Sequence, residues 1–555
     1  MEVVMDVIIP YLTARIIDQG IAPGDISMIR RVGMLLSASA ALSLFFGVRS
    51  GYHAALASAG FAANLRKDMF HAIQGFSFAN IDKFSTASLI TRLTTDVTNV
   101  QNAFQMLIRI MVRSPLMLLF SLLMAFKVNT TVSLVFLGVA PVLGIGLYFI
   151  ISRAHPIFEK VIRTYDRLNT VVRENLRGIR VVKAFVREDH EIEKFQVVSA
   201  GIHDGYTRAE KLLALNSPLM QFSMFTCTLL LSWIGAHLIV GSSMTTGQLM
   251  GLISYATQIL MSLMMLSMVL VMLTVSRASA ERIVEVLEEK SALTAPPNPI
   301  ASLADGSIEF RNVDFGYGGA EHVLCLKGVN LAVQSGETVG VIGGTGSGKT
   351  TLVQLIPRLY DATAGVVSVG GRDVREYDLE TLRDGVAMVL QKNTLFAGTV
   401  RDNLRWGNAD AGDDELAEAC RLARADEFLP PLPGGLDEPV EQGGTNFSGG
   451  QRQRLCIARA LLKKPKILIF DDSTSAVDSK TDEEIRRNLS ESMPGVTKLV
   501  IAQRIATVMH LDRIVVVDGG RIDGVGSHEE LLRTNRIYQE VYRSQVREGE
   551  DHDAA

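Results

Sequence analysis

Long apolar runs dominate the first half of the chain, and short alternating runs dominate the second half. Six apolar segments precede residue 280, and most are long enough to cross a hydrocarbon layer of about 30 Å as helices. They lie near residues 3–17, 32–48, 107–126, 131–151, 218–240 and 248–275. Residues 300–545 alternate strand-like runs with charged helical ones, as a soluble α/β domain does. The pattern predicts an all-α membrane domain followed by an α/β domain.

Two of the connections between the predicted spans are long and polar. They hold roughly 55 and roughly 65 residues, which is unusual against common loop lengths. We expect them to be helices that continue past the membrane. Residues 153–211 contain twelve lysines and arginines, so the positive-inside tendency places these connectors in the cytosol.

The first apolar segment is the weakest of the six predicted spans. Glu2 and Asp6 interrupt its apolar residues, and Pro10 lies near its middle. It also lacks the basic start and small-residue cleavage site of a signal peptide. We therefore expect a six-helix domain whose first helix is truncated, with the sequence starting inside it.

Composition narrows the possible partners and the compartment. The chain has 55 Lys+Arg against 59 Asp+Glu, so no basic excess predicts a nucleic-acid partner, whereas membrane lipid is expected around the first half. The four cysteines are far apart and form no CxxC pair, which indicates reduced thiols and argues against a zinc site. We expect a multi-pass cell-membrane protein whose second half lies in the cytoplasm.

A proline-rich break separates the two halves. The stretch TAPPNPIASLADG at 294–306 cannot continue a helix, because three prolines lie within four residues. The predicted organisation is a transmembrane domain at 1–288, a linker at 289–305, an α/β domain at 306–545 and a polar tail at 546–555.

The second half contains a glycine loop followed by a lysine and a threonine. The stretch GGTGSGKT, residues 343–350, has the full G-x-x-x-x-G-K-[ST] pattern between a predicted strand and helix, which predicts binding of nucleotide phosphates. Backbone N–H groups of such a loop converge on phosphate oxygens, Lys349 reaches the β- and γ-phosphates, and Thr350 can hold Mg²⁺. ATP and Mg²⁺ are the predicted cofactors. The predicted phosphate-binding residues are Gly343, Gly344, Thr345, Gly346, Ser347, Gly348, Lys349, Thr350 and Thr351.

A second apolar run, KILIFDD, predicts a strand that delivers Asp471 to Mg²⁺, and the two elements together indicate a P-loop ATPase. Between them, NFSGGQRQR at 446–454 resembles the signature of ATP-binding cassette (ABC) proteins. Tyr317 in VDFGYGG, Gln391 in MVLQKN and Asp478 in SAVD also match that family. With the membrane half upstream, nearly the whole chain resembles a half-size ABC exporter of the multidrug type.

The resemblance implies a head-to-tail pair of cassettes, in which each ATP lies between one P-loop and the other subunit's signature. Tyr317 would stack on adenine, and Asp478 would lie in the D-loop. The signature residues are Ser448, Gly449, Gly450 and Gln451. The resemblance assigns Mg²⁺ contacts to Thr350, Gln391 and Asp471. It assigns catalytic roles to Asp472, Gln503 and Gln391. Residues 75–97 and 174–195 resemble the two intracellular loops whose short helices dock on the cassettes.

Two positions depart from the family pattern. Asp472 replaces the glutamate that acts on the attacking water, and Gln503, in VIAQRIAT, replaces the histidine that contacts the γ-phosphate. Shortening Glu to Asp withdraws the carboxylate, and a misplacement of about 1 Å can cost about 10²-fold in rate. Together the departures predict a site that binds ATP and hydrolyses it slowly, while the intact signature completes a partner's site. The resemblance is therefore closest to the degenerate-site subunit of bacterial heterodimeric exporters, although Asp472 as a slow but sufficient base in a homodimer stays an alternative.

For the substrate, the clearest feature is a methionine stripe on the last span. Met261, Met264, Met265, Met268 and Met272 share one helical face. Flexible thioethers suit a cavity that repacks around apolar ligands, but ordinary packing explains the stripe equally well. The sequence thus predicts ATP-driven export of small amphipathic molecules. The alternatives are a regulatory subunit that binds ATP to gate a partner, or an importer with the exporter fold.

Overall fold

The fold, taken from a computed structural model, is described for residues 1–294, 296–318, 323–472 and 477–553. Contacts divide the chain into two units. One joins Met1–Gln74 with Thr86–Glu289, and the other joins Gly75–Ser85 with Lys290–Ala555. The first unit is helical and the second is α/β, which confirms the predicted fold class. The short segment Gly75–Ser85 groups with the second unit, whereas the predicted domain bounds placed it in the membrane domain.

The part of the chain before residue 289 is built from helices, several of them very long. Short π-helical turns at Ile16–Ile21, Arg92–Asp96 and Leu107–Met111 join some of them. The helices are α1 Glu2–Arg15, α2 Ile26–Gln74, α3 Phe78–Lys83, α4 Thr86–Thr91, α5 Val97–Met106, α6 Val112–Val128, α7 Thr130–Arg177, α8 Ile179–Ala184, α9 Glu188–Leu213, α10 Asn216–Val240 and α11 Thr246–Glu288.

Five helical segments of the described chain are long and apolar enough to cross a membrane. They are Ile26–Gln74, Thr86–Val128, Thr130–Arg177, Glu188–Val240 and Thr246–Glu288, with 43 to 53 residues each. A span needs only about 20 residues, so the helices continue well beyond a bilayer, as predicted for the long connectors. Helix α1 has 14 residues and is not among the five.

The acidic residues of α1 have a basic partner on α6. Arg113 pairs with Glu2 at 3.2 Å and with Asp6 at 2.8 Å. The backbone of α1 is held as well, because Tyr255 donates its hydroxyl to the carbonyl of Val7 at 2.9 Å. Charged groups within membrane helices are costly unless paired. The pairing explains how an apolar helix next to other spans tolerates two carboxylates.

The strands in the described residues of the second unit form three sheets. The strands are β1 Ile308–Phe315, β2 Leu326–Val333, β3 Thr338–Ile342, β4 Ala364–Val369, β5 Arg372–Asp373, β6 Val386–Val389, β7 Gly398–Thr399, β8 Pro439–Val440, β9 Ile467–Asp471, β10 Thr497–Ile501, β11 Arg513–Asp518 and β12 Arg521–Gly526. A six-stranded sheet has the order β12-β11-β3-β10-β9-β6, a four-stranded sheet the order β2-β1-β4-β5, and β7 pairs with β8.

Helices flank these sheets, and the last one runs nearly to the end of the chain. They are α12 Lys349–Gln354, α13 Leu379–Gly385, α14 Val400–Leu404, α15 Asp413–Leu422, α16 Gly449–Leu462, α17 Ser479–Ser492, α18 Ile505–Val508, α19 His528–Thr534 and α20 Arg536–Asp553. The predicted polar tail is therefore helical up to Asp553, and residues 554–555 lie outside the described part.

The centre of the large sheet sets the position of the site. Strands β3, β9 and β10 are almost wholly buried, and their sequences TVGVI, ILIFD and TKLVI are mostly apolar, as expected of strands covered on both faces. They are parallel, with Ile501 beside both Val341 and Asp471. Their carboxyl ends therefore meet at one edge, where the glycine loop, the two aspartates and the segment of Gln503 begin.

Candidate functional site

The loop after β3 can accept only glycine at its two ends. A Cβ on Gly343 would lie 2.1 Å from the carbonyl oxygen of Val517, and one on Gly348 would lie 2.9 Å from Leu326. Gly348 also has φ +102°, a conformation that glycine adopts readily. Between them, Gly344, Thr345 and Gly346 are exposed. The loop is thus closely packed at both ends and exposed at its tip.

Two polar groups of this loop indicate an anionic ligand. The hydroxyl of Ser347 is buried and has no hydrogen-bond partner among the described residues. Lys349 folds back and donates to the carbonyls of Gly343 and Gly344, both at 2.8 Å. Burial lowers the pKa of Lys349 from its usual value. An orphaned hydroxyl and a desolvated ammonium are both stabilised by phosphate oxygens, so the loop fits the phosphates of ATP.

Next to the loop, an alcohol and a carboxylate form a candidate cation site. Thr350 donates its hydroxyl to Asp471 at 2.8 Å. Asp471 is only 2 % exposed at the end of β9, and burial, reinforced by the charge of Asp472, raises the pKa of Asp471. A carboxylate in that state gains stability from a nearby cation. With oxygen ligands as Mg²⁺ prefers, Thr350 and Asp471 fit its coordination to a bound nucleotide.

The two positions that depart from the family pattern lie in contact. Gln503 donates its amide to a carboxylate oxygen of Asp472 at 2.7 Å. Asp472 has φ +49°, a conformation that is uncommon for residues other than glycine, and its backbone N–H donates to the carbonyl of Ile501 at 3.1 Å. The strand pairing of β9 and β10 thus brings both departures to one point beside Asp471.

The aromatic residue predicted to meet adenine lies in a cluster of rings. Tyr317 donates to or accepts from Thr351 at 3.1 Å through its hydroxyl. Its ring meets Phe315 and Tyr360 edge to face, at centroid distances of 5.0 and 5.3 Å, and stays 39 % exposed. The exposed ring can therefore offer a face to a base while its edge contacts hold it in place.

The signature lies at the start of α16 and faces outward. Ser448 caps this helix and exchanges hydrogen bonds with Gln451, at 2.9 and 3.2 Å. Ser448 and Gly449 are exposed, while Phe447 is buried beneath them. The hydroxyl, the glycines and the first N–H groups of the helix are thus displayed on the surface of this chain.

The remaining predicted residues are placed individually. Gln391 is exposed just beyond the end of β6. Asp478 caps α17 by accepting from the N–H of Thr481 at 3.0 Å, and this bond is the main reason that the pKa of Asp478 lies below its usual value. No contact described for either residue reaches the glycine loop, so their assigned roles rest on the resemblance.

One contact of the ring cluster was not predicted from the sequence. Tyr360 donates its hydroxyl to Asp82 at 2.7 Å, and its ring lies 6.0 Å from that of Phe78. Burial and the hydrogen bond to Asp82 raise the pKa of Tyr360. The partners are 278 positions apart, and no local pattern marks them.

Comparisons with known proteins agree with both halves of the chain. Residues 1–263 match the ABC transporter transmembrane region and residues 326–475 match the ABC transporter family. The chain is 36 % identical to the uncharacterized ABC transporter ATP-binding protein YfiB of Bacillus subtilis, over 99 % of this chain and 96 % of that protein. It is 38 % identical to MT1311 of Mycobacterium tuberculosis, over 97 % and 93 %.

One named relative and one solved structure extend this comparison. The ATP-dependent lipid A-core flippase of Desulfotalea psychrophila is 33 % identical, over 87 % of this chain and 84 % of that protein. A bacterial Atm1-family ABC exporter solved with ATP bound shares the fold, with a TM-score of 0.80 and 24 % identity over 98 % of this chain and 97 % of that one.

Proposed function

Because the chain belongs to the half-size ABC exporters, which fuse a transmembrane region to a cytoplasmic ATP-binding cassette, we propose that it is the degenerate-site subunit of a heterodimeric exporter. Its P-loop binds ATP and turns it over slowly. Its signature completes a competent site on a second half-transporter, a different chain that carries the missing glutamate and histidine. The pair exports small amphipathic molecules.

The observation that carries this proposal is the hydrogen bond between Gln503 and Asp472. A neutral amide donates to the carboxylate but cannot take up or release a proton in the physiological range. The short carboxylate also lies further from the attacking water than a glutamate would. Geometry and proton transfer both contribute to general base catalysis, so this pair supports retention of ATP over rapid hydrolysis.

The residues that bind nucleotide do not share this defect. Ser347, Lys349 and the loop N–H groups are arranged to hold the phosphates, and Thr350 with Asp471 to hold Mg²⁺. When bound, Mg²⁺ neutralises charge that develops on the phosphates. Tyr317 offers its ring to adenine. Binding of the phosphates, Mg²⁺ and adenine therefore depends mainly on side chains other than Asp472 and Gln503.

A partner chain is supported by what this chain exposes. Ser448 and Gly449 face outward. In the second intracellular loop, Val181, Phe185 and Val186 are 60, 73 and 81 % exposed. Neighbouring exposed apolar side chains can form an interaction surface, and both features suit contact with a second half-transporter.

A methionine-rich cavity supports an apolar cargo. It measures about 310 Å³ and lies among helices of the first unit. Its lining includes Met106, Met220, Met264, Met268 and Met272, so three of the five methionines in the predicted stripe face it. The side-chain oxygen of Asn216, also in the lining, is buried with no partner among the described residues. Flexible thioethers and one free acceptor suit an apolar molecule that carries a hydrogen-bond donor. A lipid-like cargo also agrees with the name of the flippase relative.

The first test is ATP turnover with the two departures reversed. The chain alone is expected to be nearly silent and the pair with its partner active. Asp472→Glu with Gln503→His should raise the ATP turnover of the chain alone by about 10²-fold. The longer carboxylate is better placed as a base, and the histidine can take up a proton. The matched control is Asp410→Glu, at an exposed aspartate that follows α14 and has no described contact with the glycine loop. Wild-type turnover of the chain alone at the rate of the pair would instead support a homodimer with Asp472 as an adequate base.

Vesicle transport separates export from regulation. Net movement of a fluorescent amphipathic amine out of the cytoplasmic compartment, requiring both chains, supports the exporter. Nucleotide-dependent gating of the partner without flux would support the regulatory alternative, and movement in the opposite direction would support an importer.

A second prediction concerns coupling through α3. Asn80 on this helix donates to the carbonyl of Lys290 at 2.9 Å and accepts from the N–H of Ala292 at 3.1 Å. Together with the hydrogen bond from Tyr360 to Asp82, these contacts hold α3 against the linker and against the ring cluster of Phe315, Tyr317 and Tyr360. Tyr360→Phe should lower the number of molecules transported per ATP several-fold, since a hydrogen bond to a charged group is lost.

The control for this prediction is Tyr377→Phe. Tyr377 is fully buried and donates to the carbonyl of Val369 at 2.8 Å, with no described contact to α3. Its loss should reduce stability but leave the ratio of transport to hydrolysis unchanged. Equal ratios for the Tyr360→Phe variant and the wild type would contradict the coupling role.

A further inference from the structure

The segment that carries Gln503 is fastened by the last helix of the chain. Gln545 on α20 donates its side-chain N–H to the carbonyl of Gln503 at 2.8 Å. Its side-chain oxygen accepts from the N–H of Ile505, also at 2.8 Å. One amide thus pairs with the backbone on both sides of Arg504, and fixes three consecutive residues.

Among the described residues, no neighbouring group replaces those bonds to the backbone. Helix α18 begins at Ile505, and Arg504 before it is extended, with φ −97° and ψ 128° and no side-chain cap. The first N–H groups of a helix lack acceptors within the helix. Gln545, which is distant in sequence, supplies an acceptor for the N–H of Ile505. Gln545 lies beyond the residues that match the ABC transporter family.

The helix that presents Gln545 is itself firmly held. Tyr538 on α20 is fully buried, in one core cluster with Ile505, Val508 and Ile342. Its hydroxyl lies 2.7 Å from the ring nitrogen Nδ1 of His528. Ile342 is the last residue before the glycine loop, so the same cluster supports the loop and the segment of Gln503. Gln545 therefore lies on a firmly packed helix.

We infer that Gln545 is a positioning residue for the γ-phosphate contact of this site. By fixing the backbone from Gln503 to Ile505, it sets the direction in which the Gln503 side chain points toward Asp472. The inference rests on the proposed function, because it needs ATP bound at this glycine loop with Gln503 beside the γ-phosphate.

The test compares ATP with ADP on the full-length chain in lipid nanodiscs, with Mg²⁺ present. Gln545→Leu should raise the Kd for ATP by about 5- to 10-fold, the scale of one lost hydrogen bond. The Kd for ADP should stay within about twofold, since ADP has no γ-phosphate for Gln503 to meet. A merely structural defect would weaken both nucleotides alike.

The matched control lies on the same helix. Gln539 donates its amide to the carbonyl of Leu532 at 2.8 Å, away from the segment of Gln503. Gln539→Leu should leave both affinities unchanged. If Gln545→Leu fails to fold, Gln545→Glu keeps the acceptor for Ile505 and loses the donor to Gln503, and it should lower the preference for ATP in the same direction.

A double substitution shows whether Gln545 acts through Gln503. Gln503→Ala alone should lower the preference for ATP, and adding Gln545→Leu should change it no further. Additive effects, or a preference for ATP that is unchanged in Gln545→Leu, would overturn the inference alone. A wild-type chain that binds no ATP would overturn the proposed function as well, so the two failures are distinguishable.

Discussion

Ser448→Arg in this chain is expected to silence the ATPase of the assembled pair, whereas Lys349→Met is expected to leave most of that activity. The proposed fast site combines the partner's P-loop with the signature of this chain. Ser448 is exposed at the start of α16, where an arginine would fill the space that phosphate needs. Loss of a group that stabilises transferring charge costs about 10²- to 10³-fold in rate.

Lys349 serves the other, slow site, so its loss removes little turnover even when it removes ATP binding there. The readout is phosphate release by the purified pair, with nucleotide content measured in parallel. Ser490→Arg, an exposed serine near the end of α17, controls for the added charge. If Lys349→Met silences the pair as fully as Ser448→Arg, the two sites are equivalent and the degenerate assignment is wrong.

Arg282→Ala should lower the stability of the helical unit. Asp96 is completely buried and bonds to Arg282 at 2.7 Å and to Ser279 at 2.9 Å. Although Asp96 is buried, the side chain of Arg282 is 47 % exposed, so we expect its removal to cost less than the about 3–5 kcal/mol of a fully buried ion pair. We expect a marked fall in the Tm of the full-length chain in detergent, with Arg282→Lys recovering part of it.

A second ion pair, also on α11, serves as the comparison. Arg277 pairs with Glu281 at 2.8 Å, but their side chains are 80 and 63 % exposed. An exposed pair of this spacing contributes about 0.3–0.5 kcal/mol, so Arg277→Ala should leave the Tm nearly unchanged. Equal shifts for Arg277→Ala and Arg282→Ala would show that burial of Asp96 does not decide the stability.

Local signals predicted much of the fold and account for the candidate nucleotide site. The apolar runs at β3 and β9 and the glycine pattern between β3 and α12 depend on neighbours in sequence, which a linear pattern records. Because parallel strands align their carboxyl ends, the contact between Thr350 and Asp471 follows once both strands are recognised. The long helices followed in the same way from the length of the polar connectors.

Contacts between distant parts of the chain could not be predicted from the sequence. The bond from Gln503 to Asp472 depends on the register of β9 against β10, and the left-handed backbone of Asp472 leaves no trace in composition. Arg113 with Glu2 and Asp6, and Tyr360 with Asp82, join residues more than a hundred positions apart. Pairing of this kind is decided by tertiary packing, which periodicity does not encode.

The grouping of Gly75–Ser85 with the second unit has a consequence for engineering and for gene fusion. A cassette cut at the linker and produced as residues 290–555 would lack α3, leaving Tyr360 without Asp82 and the backbone at Lys290 and Ala292 without Asn80. A chimaera that exchanges cassettes between two transporters at that point would carry one parent's α3 against the other parent's surface. Residues 290–555 are therefore not an interchangeable module by themselves, and a swap should succeed only when the eleven residues from Gly75 to Ser85 travel with the cassette they contact.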